Sequence, residues 1–127
     1  MDYISRNHSK YLLMAHLIVV TKYRKKLLIK YANEIKQILS DIAEEKDFEI
    51  IEMEVDKDPI HLLASYNPTQ SILDIVRLLK QMSTYRIWRQ NNHHLYLSKQ
   101  FWKKKIFWSD GYFACSIENV SKEIIAK

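Results

Sequence analysis

FEIIEMEVDKDPIHLLASY, residues 48–66, is the stretch whose reading decides the fold. Ile50, Ile51, Met53 and Val55 form an apolar run, Asp56-Lys57-Asp58-Pro59 is a charged reversal, and Ile60–Tyr66 is a second apolar run. Two β-prone runs joined by a short Asp- and Pro-containing turn specify paired strands. We therefore expect a β-hairpin at the centre of a sheet. Strict alternation puts Ile51, Met53 and Val55 on one side of the first strand, with Ile50, Glu52 and Glu54 on the other. In the second strand His61, Leu63 and Ser65 oppose Leu62, Ala64 and Tyr66. His61 thus falls near a strand start, beside a loop, where a cleft can form. Glu52 and Glu54 read either as an acid pair or as the wet side of an exposed strand.

Upstream, Ala32, Ile35, Ile38, Leu39 and Ile42 recur with helical period, so Tyr31–Lys46 is expected to be an amphipathic helix. Before it, Lys22, Arg24, Lys25, Lys26 and Lys30 surround Tyr23. This reads either as a solvated connection or as a phosphate-contacting patch, which gives affinity without sequence information. Tyr11–Thr21 is the first strand, with His16, Ile18 and Val20 on one face and Leu17, Val19 and Thr21 on the other.

Downstream, Asn67-Pro68-Thr69-Gln70 is a turn, and Ser71 with Asp74 has the spacing of a helix cap. Ile72, Ile75, Val76, Leu79 and Met82 mark a second helix reaching Arg89, with Lys80, Arg86 and Arg89 on its polar side. Gln90–Lys105 shows no period; Asn91, Asn92, His93 and His94 read as a polar loop. Phe101 and Trp102 then adjoin Lys103, Lys104 and Lys105, a mixture that can stack bases while contacting phosphates, or can simply anchor a loop. Ile106–Trp108 and Tyr112–Ile117 are expected strands around Ser109-Asp110-Gly111, with positive φ easiest at the glycine. Cys115 reads as a small core residue within an apolar strand. Ser121 can cap a terminal helix running to Lys127.

The chain has 127 residues, enough for one domain, 1–127, with a single two-layer core. Its formal charge of +5 makes polyanions plausible partners. One cysteine excludes an internal disulfide and a multi-thiolate zinc site, and the sole glycine excludes a glycine-rich phosphate loop. No apolar run approaches membrane-spanning length and the N-terminus lacks an export pattern, so a cytoplasmic protein is expected, with no membrane partner. Two helices on one side of an antiparallel sheet leave the other face open, which is where a ligand is sought.

Four strings, in this order, now carry a resemblance: HLIVVTKYRKK from His16, DPIHLLASYNP from Asp58, SILDIVRLLKQMS from Ser71 and FWSDGYFACSIENVSKEII from Phe107. Together they resemble the HUH single-tyrosine transposases of small bacterial and archaeal insertion sequences, the TnpA class. The resemblance implies an α+β fold, an antiparallel four- or five-stranded sheet with helices on one face, ferredoxin-like or RRM-like. It also implies an intertwined homodimer acting on single-stranded or hairpin DNA. In that family two histidines flanking one hydrophobic residue hold Mg2+ or Mn2+. A tyrosine on the last helix attacks phosphorus, forming a 5′-phosphotyrosyl link and releasing a 3′-hydroxyl.

Two departures qualify what the resemblance implies. Pro59-Ile60-His61 places a proline where the first histidine belongs, and a proline side chain has no donor for a metal. His61 is the expected ligand, with Asp58, Glu52 and Glu54 as candidate oxygen donors. The nucleophilic tyrosine would fall just beyond Lys127, and no tyrosine of this sequence matches its position. The expected DNA-contacting residues are Lys22, Tyr23, Arg24, Lys25, Lys26, Lys30, Trp102, Lys103, Lys104 and Lys105, with His16 a neighbour of the phosphate. A catalytically inactive DNA-binding relative, or a structural or protein-interaction domain, is the alternative.

Overall fold

A computed structural model describes residues 13–101 and 104–117, and only the backbone of 91–95. The chain runs β1 (Leu13–Val20), a 3-10 turn (Lys22–Arg24), α1 (Leu27–Glu45), β2 (Glu49–Val55), β3 (Pro59–Tyr66), α2 (Ile72–Arg89), α3 (Asn91–Gln100) and β4 (Phe113–Ser116). The strands form one antiparallel sheet in the order β2-β3-β1-β4. Chain neighbours β1 and β2 are thus separated in space by β3, the split arrangement of a ferredoxin-like sheet. The helices cover one face, giving the expected α+β architecture. The expected terminal helix, Ser121–Lys127, lies outside the described residues.

Alternation explains which face is covered. Ala15, Leu17 and Val19 of β1 and Ile60, Leu62 and Ala64 of β3 are buried. They pack with Ile35, Ile38, Leu39 and Ile42 of α1 and with Ile75, Val76 and Leu79 of α2 in a single core. Ser71 caps α2 as expected, its hydroxyl accepting the Asp74 amide at 3.0 Å. A second brace joins the helices, where the Arg86 guanidinium donates to Glu45 at 2.7 Å and holds that carboxyl below the usual range.

Several expectations are corrected. The hairpin is not wholly central, because β3 is internal while β2 is a sheet edge. The register shifts between Ile50 and Glu52, so one residue is extra on β2. That bulge turns Ile51 out to solvent and leaves Ile50, Met53 and Val55 against the core. The first helix begins a turn early, at Leu27, and Tyr31 inside it departs from helical angles at φ −111°. The supposed polar loop at residues 91–94 is the first turn of α3. Its hidden anchors are Leu97 and Phe101, both buried.

The two segments after Lys105 do not pair with each other; Trp108 bridges Thr21 and β4 pairs with β1, so both extend the same neighbour. Gly111 has no positive φ and open space where a Cβ would stand, so its turn does not require glycine. Cys115 is exposed on the edge strand and is not a core residue.

Tyr31 lies at the centre of this packing, fully buried, with Tyr96 edge-on at 5.9 Å between ring centroids. Burial, then the neighbouring Tyr96 and Glu34, push its phenol from the ordinary 10.0 up to about 12. An acid whose folded pKa is raised stabilises the fold below its unfolded pKa, and that contribution drains as pH rises towards the folded value. The loss from this group is therefore expected between pH 10 and 12, amounting to about 2–3 kcal/mol. Urea denaturation across that range should show a shallower alkaline decline for Tyr31→Phe than for the parent.

Candidate functional site

The face away from the helices is built from the alternate residues of the same strands. Register places Glu54, His61, Ile18 and Phe113 in one row across the sheet, and Glu52, Leu63, His16 and Cys115 in the next. Phe113 is 67% exposed, which shows how open this face is at the β4 edge. His16 and His61 lie on the diagonal between the rows, with ring centroids 6.1 Å apart.

This geometry tests the expected metal position. Pro59 shares the outward side of β3 with His61 by alternation but offers no donor. Asp58 is committed elsewhere, its carboxylate 3.1 Å from Arg24 Nε. Glu54 stands directly across from His61, whereas Glu52 stands across from Leu63, a row further on. Among the described residues no three His, Cys, Asp or Glu side chains are grouped to hold a cation. β3 thus offers one imidazole on this face, His61, with His16 of β1 as its neighbour.

Beside the β3 start sits the basic turn. Tyr23 and Arg24 both have positive φ, 59° and 52°, a region that non-glycine residues rarely occupy. The surrounding hydrogen bonds hold them there. Thr21 N donates to Asp58 O at 3.0 Å and Lys22 N to Phe107 O at 2.8 Å, while the Thr21 hydroxyl donates to Lys25 O. Backbone held in such a region is a pointer to function. Its consequence is visible in Tyr23, which projects with 61% of its surface exposed and with Lys22 Nζ 5.4 Å from its ring centre.

The expected DNA-contacting residues separate accordingly. Tyr23, Arg24, Lys26, Lys30, Lys104 and Lys105 are exposed, and Lys22 and Lys25 are half-buried. Lys22 reaches Asp110 at 3.5 Å, and Lys30 lies over the Tyr96 ring at 4.9 Å. Phe101 is buried in the core and cannot stack on a base. Trp102 and Lys103 lie outside the described residues, as does the position beyond Lys127 where the nucleophile was expected.

Sequence reasoning passed over a cavity of about 790 Å³ between α2 and residues 105–110, walled by Tyr85, Trp88 and Trp108. Arg86, which it singled out, is instead the brace to Glu45. The available signal was the spacing of Arg77, Gln81, Tyr85 and Arg89, four residues apart along one side of a helix.

A ferredoxin-like sheet with a basic turn at one end and a histidine on an internal strand defines a class, and comparison with known proteins assigns the family. The family described as "Transposase IS200 like" matches residues 9–127, and the chain belongs to it as a single-tyrosine, TnpA-class member. It is 35% identical over 118 residues to the ISDra2 transposase TnpA of Deinococcus radiodurans, spanning 92% of this chain and 81% of that one. It is also similar to a transposase crystal structure from Deinococcus radiodurans R1, with 31% identity, TM-score 0.71, and 89% and 85% of the two chains covered. A REP-associated tyrosine transposase bound to a REP hairpin shares the fold at 14% identity and TM-score 0.63, over 91% of this chain and 62% of that one. No helix among the described residues is long and apolar enough to cross a membrane.

A histidine at position 59 would add a second imidazole to this side of β3. Pro59→His is expected to raise Mn2+ affinity at least tenfold in isothermal titration, and His61→Ala in that background to abolish the gain. Equal affinities for the parent and Pro59→His would contradict the placement of position 59 beside His61.

Proposed function

We propose that this chain binds DNA that is single-stranded or folded into a hairpin, as at the ends of an insertion sequence, and that its metal-assisted cutting is weakened. The observation that carries the reading is the basic turn Lys22–Lys26, tied to the start of β3 with Tyr23, Arg24 and Lys26 exposed, and with Lys30 exposed on the first turn of α1. Phosphates meet that charge, and an unstacked base meets the tyrosine ring. Family membership supports this choice of partner over other polyanions. Cutting in this class needs a cation to offset charge developing on the phosphoryl oxygens. With Pro59 in the first ligand position, His61 alone offers a nitrogen on this strand, so Mg2+ or Mn2+ binds poorly and strand cleavage is slow.

Assembly as a homodimer belongs to the same reading. Among the described residues β4 is a sheet edge with no strand on its outer side, and Phe113 lies exposed on it. A second copy is the partner that this edge is read to take.

The binding claim is tested by electrophoretic shift of hairpin DNA with a single-stranded flank, over a series of salt concentrations. Affinity is expected to fall steeply with salt, and the double variant Lys25→Ala/Lys26→Ala to lower the log–log slope by about 1 to 2. With manganese present the parent chain should leave most of the bound strand uncut. Absence of any shift at low salt would favour a structural or protein-interaction domain instead.

A further inference from the structure

The cavity between α2 and residues 105–110 is a built feature. Trp88 Nε1 donates to Ile106 O at 2.8 Å, and Trp108 Nε1 donates to Ser83 Oγ at 2.8 Å, fastening the segment to the helix. Lys80 Nζ donates to Asp110 O at 2.9 Å and Gly111 O at 3.0 Å, closing the far end. These bonds leave Lys80 a structural cation, its ammonium pushed below the usual lysine range by burial.

Other groups remain for a ligand. Arg77, Arg89 and Lys105 are exposed at the rim, and Asp110 is the one carboxylate in the lining. Asp110 is itself offset by Lys22 at 3.5 Å. Four lining cations, including Lys80, therefore stand against one acid. Tyr85 is 63% exposed, yet its ring is not loose: the Arg89 guanidinium carbon sits 5.3 Å from the ring centre and Nη1 donates to its hydroxyl at 3.3 Å. An aromatic ring held in place loses little freedom when something stacks on it. From Arg77 to Arg89 the helix extends about 18 Å, room for a run of several nucleotides.

From these features we propose that the groove binds a short unpaired segment of the DNA strand, with a base stacked at Tyr85 and phosphates on Arg77, Arg89 and Lys105. This rests on the DNA-binding reading above and adds a place for single-stranded DNA distinct from the open sheet face. Stacking on a side chain requires a base free of its own stack, so the occupant is single-stranded and not the hairpin stem. The groove adjoins the basic turn through the Lys22–Asp110 contact, so one strand can run from the turn into it. An acidic peptide would satisfy the cations but leave the held tyrosine without a planar partner.

Trp88 and Trp108 in the wall provide the readout. The full chain is titrated with tetrathymidylate while tryptophan fluorescence is followed, and separately with hairpin DNA in a shift assay; tetraglutamate serves as the comparison anion. Saturable quenching by tetrathymidylate, absent with tetraglutamate, is expected. Tyr85→Ala should weaken it about tenfold and Arg77→Glu several-fold. Both positions are exposed, and circular dichroism checks that both variants stay folded. If hairpin DNA binds but tetrathymidylate gives no quenching, or Tyr85→Ala changes nothing, the groove assignment is overturned while the DNA-binding reading stands. If tetrathymidylate binds through Tyr85 with no shift of hairpin DNA, the groove stands and the hairpin reading falls. Quenching by tetraglutamate of equal strength, or no response to either DNA, overturns the groove assignment.

Discussion

Pairing between β1 and β3 is the constraint from which the rest follows. Its register sets Leu17 against Leu62 on the covered face and Ile18 against His61 on the open one. A slip of β1 by one residue against β3 would exchange the faces of β1, driving His16 into the core and Leu17 into water. Burial of Ala15, Leu17, Val19, Ile60, Leu62 and Ala64 under two helices makes that exchange prohibitive. The same alternation that builds the core therefore fixes the outward position of His61.

That placement also limits the chemistry. A strand presents every second residue to one face, so a partner for His61 on β3 would stand at position 59 or 63, here Pro59 or Leu63. Proline at the first leaves a single imidazole, and the nearest aspartate in sequence, Asp58, is neutralised by Arg24 in fixing the basic turn. The ion pair joins two regions that look unrelated in the chain. It links the turn, where Tyr23 and Arg24 stand at positive φ, to the start of β3, and it engages the aspartate nearest His61 in sequence.

Much of the architecture was legible because strong periodic signals met no competition. The stripe Ile35, Ile38, Leu39, Ile42 and the Ser71 cap with its helix appear as read. What escaped depended on tertiary context. Ile51 breaks alternation through a bulge on an edge strand, which period-2 reasoning cannot foresee. The third helix has weak amphipathicity, and its anchors Leu97 and Phe101 are buried by contacts formed only after folding. Cys115 looked like a core residue within YFACSI, yet its strand is an edge and its side lies open. His61 and the basic turn could be named from sequence, but the groove at Tyr85 could not. Half of its wall comes from residues 105–110, brought to α2 by two tryptophan hydrogen bonds across some twenty residues of chain.

The central claim is that nucleic acid is met by the basic turn, the neighbouring open face and the adjoining groove, and not by the solvent side of α1. Hydrogen–deuterium exchange of the full chain, with and without a hairpin DNA carrying a single-stranded flank, examines this directly. The account predicts slowed exchange at residues 22–26 and 105–110, with amides around Lys36 to Ser40 unchanged. Slowing confined to α1, or no difference anywhere along the chain, would contradict it.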